Sequence, residues 1–340
     1  MEIKNNINLK DYLTMRLGGQ AKYMAEINCE EDIKDAYQYA ENHGLKVFIL
    51  GGGSNTLATD KGFDGLVMLM KIKGTHIIEE DDNSMTIKIG AGEILDDIVK
   101  KSVDLHLTGI EAMSMIPGTI GAAPVQNVGA YGQDISQTFV ALEAFDKQTK
   151  SFVTLSKEDC QFSYRHSIFR GHAWGRYIIH HVIIKLKKGN PTPPFYKQVQ
   201  DTLTQDGITD YTPAIIRDTV IKIRTHKLPD PDINPNCGSF FKNAIISKEK
   251  LESLQHDYPE LKGFKVDEDH YKISTGWLID KAGLKGHKLH HMKVHDRNAL
   301  VLINDDATSY NSLAEARDEI IQCVKDKFDI TISQEVLEIS

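Results

Sequence analysis

The sequence GGGSN at Gly51–Asn55 places three glycines before two short polar side chains. Successive backbone N–H groups in such a turn can form a nest that binds anions, a diphosphate among them. The loop is not a dinucleotide fingerprint, because the third glycine position is Thr56 and no amphipathic helix follows it. No G-x-x-x-x-G-K-[ST] occurs in the chain. From Gly109 to Asp134 the chain reads GIEAMSMIPGTIGAAPVQNVGAYGQD, with five glycines, four alanines, two prolines and no Lys or Arg. Glycine admits positive φ and lets a ligand approach bare peptide, and proline stiffens the turns between. A ligand bound here is held by backbone N–H and C=O groups. The composition fits a cradle for a planar ring, or a close-packed crossing of backbone segments.

Other candidates carry side-chain chemistry. Gln161–Gly171 reads QFSYRHSIFRG, with aromatic residues interleaved with Arg165 and Arg170. Cys237 lies two residues before Ser239 in CGSFFKN. It reads as a small packing residue, since a free cysteine without an activating neighbour is usually buried and inert. His287, His290, His291 and His295 cluster in GHKLHHMKVH. The His291/His295 pair has helical ligand spacing, but no HExxH accompanies it and the stretch reads as loop then strand, so no metal is expected.

The elements that position these residues alternate between strands and helices. At 340 residues, two or three domains are expected. Net charge −8 argues against nucleic-acid binding, which needs a basic surface. The start MEIKNNINLKDYL lacks an apolar core of signal length and no run could span a membrane. The four cysteines lie far apart with no CxxC pair, so a cytoplasmic, reduced protein is expected. Ile33, Ala36, Tyr37 and Ala40 share one helical face, and Val47–Leu50 reads as a short strand running into the glycine loop. Leu57–Gly65 reads as turn. Lys187–Pro213 is polar and proline-rich without a core face, a linker or mobile loop. Ala214–Thr225, Lys248–Asp257, Thr275–Ala282 and Leu313–Phe328 read as helices, Ile330–Ile332 and Val336–Ile339 as closing strands. The class is α+β.

Several segments, in order along nearly the whole chain, resemble the UDP-N-acetylenolpyruvoylglucosamine reductase (MurB) family. They are VFILGGGSN (47–55), MIPGTIGAAPVQNVGAYG (115–132), FSYRHSIFRG (162–171) and KLPDP (227–231). GSFFKN (238–243), GWLIDKAGLKG (276–286), HDRNALVLIN (295–304) and QEV (334–336) complete the set. The polar segment 187–213 resembles the extra loop of the family's longer subtype. The resemblance implies a two-subdomain FAD-binding module of the vanillyl-alcohol-oxidase type over residues 1–72 and 73–225, then a smaller α+β substrate domain over 226–340.

It further implies FAD as cofactor, NADPH as co-substrate, and a monomer that turns UDP-N-acetylglucosamine enolpyruvate into UDP-N-acetylmuramate for peptidoglycan. No nucleic-acid or membrane partner is implied. FAD would lie against Leu50, Gly51, Gly52, Gly53, Ser54, Asn55, Pro117, Gly118, Gly121, Ala122, Asn127 and Gly129. Arg165 matches the arginine that polarises the substrate carboxylate, Ser239 the proton donor, and Glu335 the residue assisting the enol-forming step. Tyr131, Tyr164, Lys227, Asn243 and Asn298 match positions around the nucleotide sugar, and Tyr196 the loop tyrosine that covers it. The chain departs from the family pattern at His166, Gln334 and Ala244, commonly Asp, Pro and Pro. The alternatives are another flavoenzyme of the same fold, or a non-redox UDP-sugar-binding protein.

Overall fold

The computed structural model describes residues 1–339. Its chain divides into two compact units, one of Met1–Ile7, Ala21–Gly52 and Asp64–His226, the other of Asn8–Gln20, Gly53–Phe63 and Lys227–Ser340.

The first unit is built on two sheets. One has four strands in the order Ile3–Asn8, Gln20–Ile27, Phe63–Met70, Lys46–Leu50, the last two parallel. The amphipathic helix Glu30–Asn42 buries Ile33, Ala36 and Ala40, the face its periodicity predicts. The other sheet runs Ser151–Ser156, Phe139–Asp146, Tyr177–Lys188, Ser84–Gly90, Thr75–Glu80, and Leu107–Thr108 pairs with the end of its central strand. Phe139–Asp146 and Ser151–Ser156 form the hairpin expected around the Asp146–Lys150 turn. Tyr177–Lys188 is mostly buried because it is central and covered on both faces, so Ile178, Val182 and Ile184 are fully enclosed.

The polar segment 187–213 departs from its reading as structureless linker. Lys197–Gln205 is an α-helix whose Val199 and Leu203 are buried. They pack with Ile216, Val220 and Ile223 of the helix Pro213–Lys227 in a small core of their own. Two apolar residues four apart suffice when a neighbouring helix supplies the other half of the interface.

The second unit has a core threaded by the helix Tyr310–Phe328, which buries Leu313, Ala316, Ile320, Val324 and Phe328. A four-stranded sheet runs Asn236–Ser239, Val301–Asn304, Met292–Val294, Lys288–Leu289. A three-stranded antiparallel sheet, Ala244–Ser247, His270–Ile273 and Gly263–Lys265, was not legible in the sequence. Thr56–Ala58, which overlaps the start of the stretch 57–65 read as turn, is a buried strand parallel to Leu337–Ile339. Ile330–Ile332 forms no strand; its two isoleucines are core residues on an irregular segment. No helix of the described residues is long and apolar enough to cross a membrane.

Candidate functional site

In the first unit the two glycine-rich stretches meet. A Cβ on Gly52 would stand 2.8 Å from the Gly118 Cα, and one on Gly51 2.6 Å from the Thr119 hydroxyl. A Cβ on Gly121 would stand 2.4 Å from the Ala91 Cβ. Gly52 and Gly121 therefore let backbone approach backbone, the close-packed reading of the composition, while Gly51 makes room for the Thr119 side chain. The packed loops also present a bare surface: Leu50 is buried behind it, while Gly52, Pro117 and Ala122 are exposed. Among the described residues the Gly52 N–H donates to no protein acceptor. An unused backbone donor beside exposed peptide fits a phosphate and a flat ring, so the residues of this unit suit a flavin dinucleotide.

The far end of the glycine-rich stretch is organised by Asn127, Arg165 and Tyr131, all at positive φ of 46°, 52° and 49°. Asn127 is buried; its amide Nδ2 donates to the Ser163 carbonyl at 3.2 Å and its Oδ1 accepts from the Ser136 N–H at 3.1 Å. Ser163 and His166 close a tight turn through reciprocal backbone bonds, which aims Arg165 back at the cradle. Its Nη2 donates to the Gly129 carbonyl at 2.9 Å and its Nη1 reaches Asn127 O at 3.4 Å. The guanidinium also lies 5.5 Å from the exposed Tyr164 ring. Gly129 is confined by the Gln133–Asp134 backbone, and a Cβ there would stand 2.3 Å from the Gln133 carbonyl. His166, at the position commonly Asp, is exposed and lies against Gly171.

Tyr131 packs edge-to-face on Tyr196, with 5.8 Å between ring centroids. Tyr196 stands at the start of the Lys197–Gln205 helix and is half-exposed. Burial, offset in part by Arg224, raises the Tyr131 phenol above its ordinary pKa, so its hydroxyl stays protonated. Arg224 was overlooked in the sequence because its helix reads as ordinary packing. Its Nη2 donates to the Met115 carbonyl at 3.2 Å, and its buried Nε has no hydrogen-bond partner. The nearby ion pair of Arg217 with Asp96, bidentate at 2.6 and 3.0 Å, anchors the same helix to the cradle through the Met115 N–H on Asp96. The signal available was spacing: Arg224 lies three residues before Lys227 of KLPDP.

In the second unit, the segments that carry Ser239 and Glu335 are joined by backbone pairing. The Glu335 N–H donates to the Phe240 carbonyl at 2.8 Å, and the Lys242 N–H to the Ser333 carbonyl at 2.9 Å. Phe241 and Gln334 form an antiparallel bridge between these segments. Phe240 and Phe241 are fully buried, so they fix the backbone that carries Ser239. Ser239 pairs with Val301 after a turn at Gly238, whose φ is +66°. Glu335 is 7 % exposed. Gln334, where proline is common, bonds its own segment: Nε2 donates to the Val336 carbonyl at 2.8 Å.

Asn243 follows directly and accepts the Thr275 N–H on its Oδ1 at 3.2 Å, at the start of the helix Thr275–Lys281. Asn298 accepts the Leu300 N–H at 3.2 Å in the turn before Val301–Asn304. Lys227 ends the helix Pro213–Lys227 and is partly exposed. Cys237 is wholly enclosed, and burial pushes its thiol up to about 12, so it is no nucleophile. The His291/His295 pair flanks the strand Met292–Val294 and shares no helical face.

Comparison with known proteins covers both units. Residues 21–154 match an FAD-binding domain family, and residues 230–339 match the C-terminal domain of UDP-N-acetylenolpyruvoylglucosamine reductase. The chain is 39% identical over 337 residues to the UDP-N-acetylenolpyruvoylglucosamine reductase of Flavobacterium johnsoniae, covering 99% of each chain. It is 36% identical to that of Neisseria gonorrhoeae, covering 98% of this chain and 96% of the other. Among solved structures, the reductase of Thermus caldophilus superposes with a TM-score of 0.70 at 21% identity over 100% of both chains, a likeness of fold.

Proposed function

The chain belongs to the UDP-N-acetylenolpyruvoylglucosamine reductase family, and from that premise we propose how its residues act on the enolpyruvyl sugar. It is an FAD-dependent reductase of peptidoglycan precursor synthesis. When bound, FAD supplies the hydride for the terminal vinyl carbon. We read NADPH as the reductant that replenishes it, and the working form as a cytoplasmic monomer.

In this reading residues 1–72 and 73–225 form the two halves of the FAD-binding module, and residues 226–340 the substrate domain. Leu50–Asn55 back and bind the diphosphate, while Pro117, Gly118, Gly121, Ala122, Asn127 and Gly129 form the ring's bed. Hydride addition places negative charge on the enol carbon and carboxylate of the substrate. Arg165 offers a planar, permanently charged fork to that carboxylate. The carbonyls of Gly129 and Asn127 already fix its orientation, so little reorganisation is needed as charge develops. The Ser239 hydroxyl then donates its proton to the carbon bearing the ether oxygen. A serine is a weak acid, so this depends on placement and on the basicity of the enolate. Glu335 assists the same step from the adjoining segment. Lys227 sets a point charge on the UDP diphosphate, Asn243 and Asn298 offer amides to the nucleotide sugar, and Tyr131, Tyr164 and Tyr196 cover it.

The observation that supports the reading is the antiparallel pairing of 240–242 with 333–335, which joins the segments that carry Ser239 and Glu335 although 96 residues separate the two (335 − 239). Purified protein is expected to be yellow, or to become so when FAD is added, and to oxidise one NADPH per enolpyruvyl sugar consumed. Protein that takes up no flavin and consumes no NADPH would place the chain among non-redox UDP-sugar binders.

A further inference from the structure

The helix Glu30–Asn42 begins against the six-stranded sheet of the first unit, where a second cluster of ligating side chains has formed. One ligating atom from each of Glu30, Glu143, His180 and His181 lies within 4.8 Å of all the others. His180 and His181 are consecutive on Tyr177–Lys188, and consecutive strand residues ordinarily point to opposite faces. Here the register shifts: Glu143 pairs with His181, but Ala144 pairs with Ile179, leaving His180 as the extra residue of a β-bulge. A bulge re-aims one side chain, and this one turns both Nδ1 atoms to the same point. They stand 2.8 Å apart.

We propose that Glu30, Glu143, His180 and His181 form a binding site for one divalent transition-metal ion, with zinc the best match to the ligand types. Ligand atoms about 2.05 Å from a tetrahedral zinc stand roughly 3.3 Å from one another. The His180 Nδ1 lies 3.4 Å from Glu30 Oε1, and the His181 Nδ1 lies 3.5 Å from Glu143 Oε2. The two imidazoles must part by about half an ångström, and the remaining pairs, already within 4.8 Å, must close toward that spacing. Two imidazoles and two carboxylates are a borderline-soft set suited to zinc, not to magnesium or calcium.

His180 is almost fully enclosed and packs edge-to-face on Phe152, so its Nδ1 edge alone meets polar atoms. The same Glu143 Oε2 also accepts the Lys88 ammonium at 2.6 Å, and a carboxylate oxygen has lone pairs for both that contact and an ion. The site is accessible through Glu30, whose side chain is 43% exposed.

An ion here would tie the helix to the central strand at the back of the cradle. The His180 carbonyl accepts the Ala91 N–H at 2.9 Å, and Ala91 O accepts the N–H of Gly121 at 3.0 Å. This departs from the sequence-based expectation of no metal, because neither the bulge nor the approach of Glu30 is visible as spacing along the chain.

The test uses the FAD-loaded protein, stripped with a chelator and titrated with zinc chloride by calorimetry, with metal counted after desalting. One zinc per chain is expected, and cobalt(II) should give the intense visible bands of a tetrahedral site to the red of the flavin absorbance. His181→Ala and Glu30→Gln, whose folding is checked by flavin content and melting temperature in chelator, should each weaken zinc binding by about a hundredfold or more. A stripped protein that takes up no zinc, or variants that bind it as tightly as the wild type, would overturn the assignment.

Discussion

Ser239→Ala is expected to leave flavin reduction by NADPH at its wild-type rate and to slow flavin reoxidation by the enolpyruvyl sugar by about 10²–10⁴-fold, the range of a lost general acid. The asymmetry follows from chemistry. Hydride transfer from a nicotinamide to a flavin needs no proton from Ser239, whereas the enolate left by hydride addition is trapped until a proton reaches its carbon. Structural damage does not account for such a split, because the serine's backbone is held by the buried Phe240 and Phe241 and by pairing with Val301, none of which uses the hydroxyl. Rapid mixing of each half-reaction separately reads the outcome. Equal loss in both halves would point to a damaged flavin site, and no loss in the second would remove Ser239 from the role of donor.

Arg165→Lys is expected to lower the rate of the sugar half-reaction by about 10²–10³-fold, comparable to removing one preorganised donor from a developing anion. The substitution keeps the charge but loses the fork that grips Gly129 O at 2.9 Å while presenting its remaining donors to a carboxylate. The positive φ of 52° at this position is unchanged by the swap, so the backbone cost is common to both residues. Flavin reduction by NADPH should persist. If binding of the enolpyruvyl sugar and its reduction both survive in the lysine variant, bidentate recognition is not what Arg165 contributes.

The parts of this molecule that could be read from the sequence are those that act locally. The periodic face of Ile33, Ala36 and Ala40 gave its helix directly, as did the stripe from Leu313 to Phe328. The Lys197–Gln205 helix could not be found this way, since two buried residues among polar ones carry no period until Pro213–Lys227 packs against them. The glycines show how one composition can serve two purposes. Gly52 and Gly121 are small because backbone must meet backbone, Gly51 because the Thr119 side chain stands against it, and the surface left for a flat ligand is a consequence of that packing. The neighbourhood of Ser239 and Glu335 depends on a bridge between Phe241 and Gln334, which no local pattern encodes; only resemblance to a family named those residues together. Arg224 and the bulge at His180 were missed for the same reason: their chemistry comes from partners remote in sequence.

The most direct measurement is made without oxygen on the wild-type protein. The flavin is bleached with one equivalent of NADPH, and the enolpyruvyl sugar is then added in deuterated water. The oxidised flavin band should return at a rate set by the sugar concentration, with UDP-N-acetylmuramate carrying solvent deuterium at the carbon attached to the ether oxygen. Return of the band only when air is admitted, with the sugar unchanged, would contradict the account.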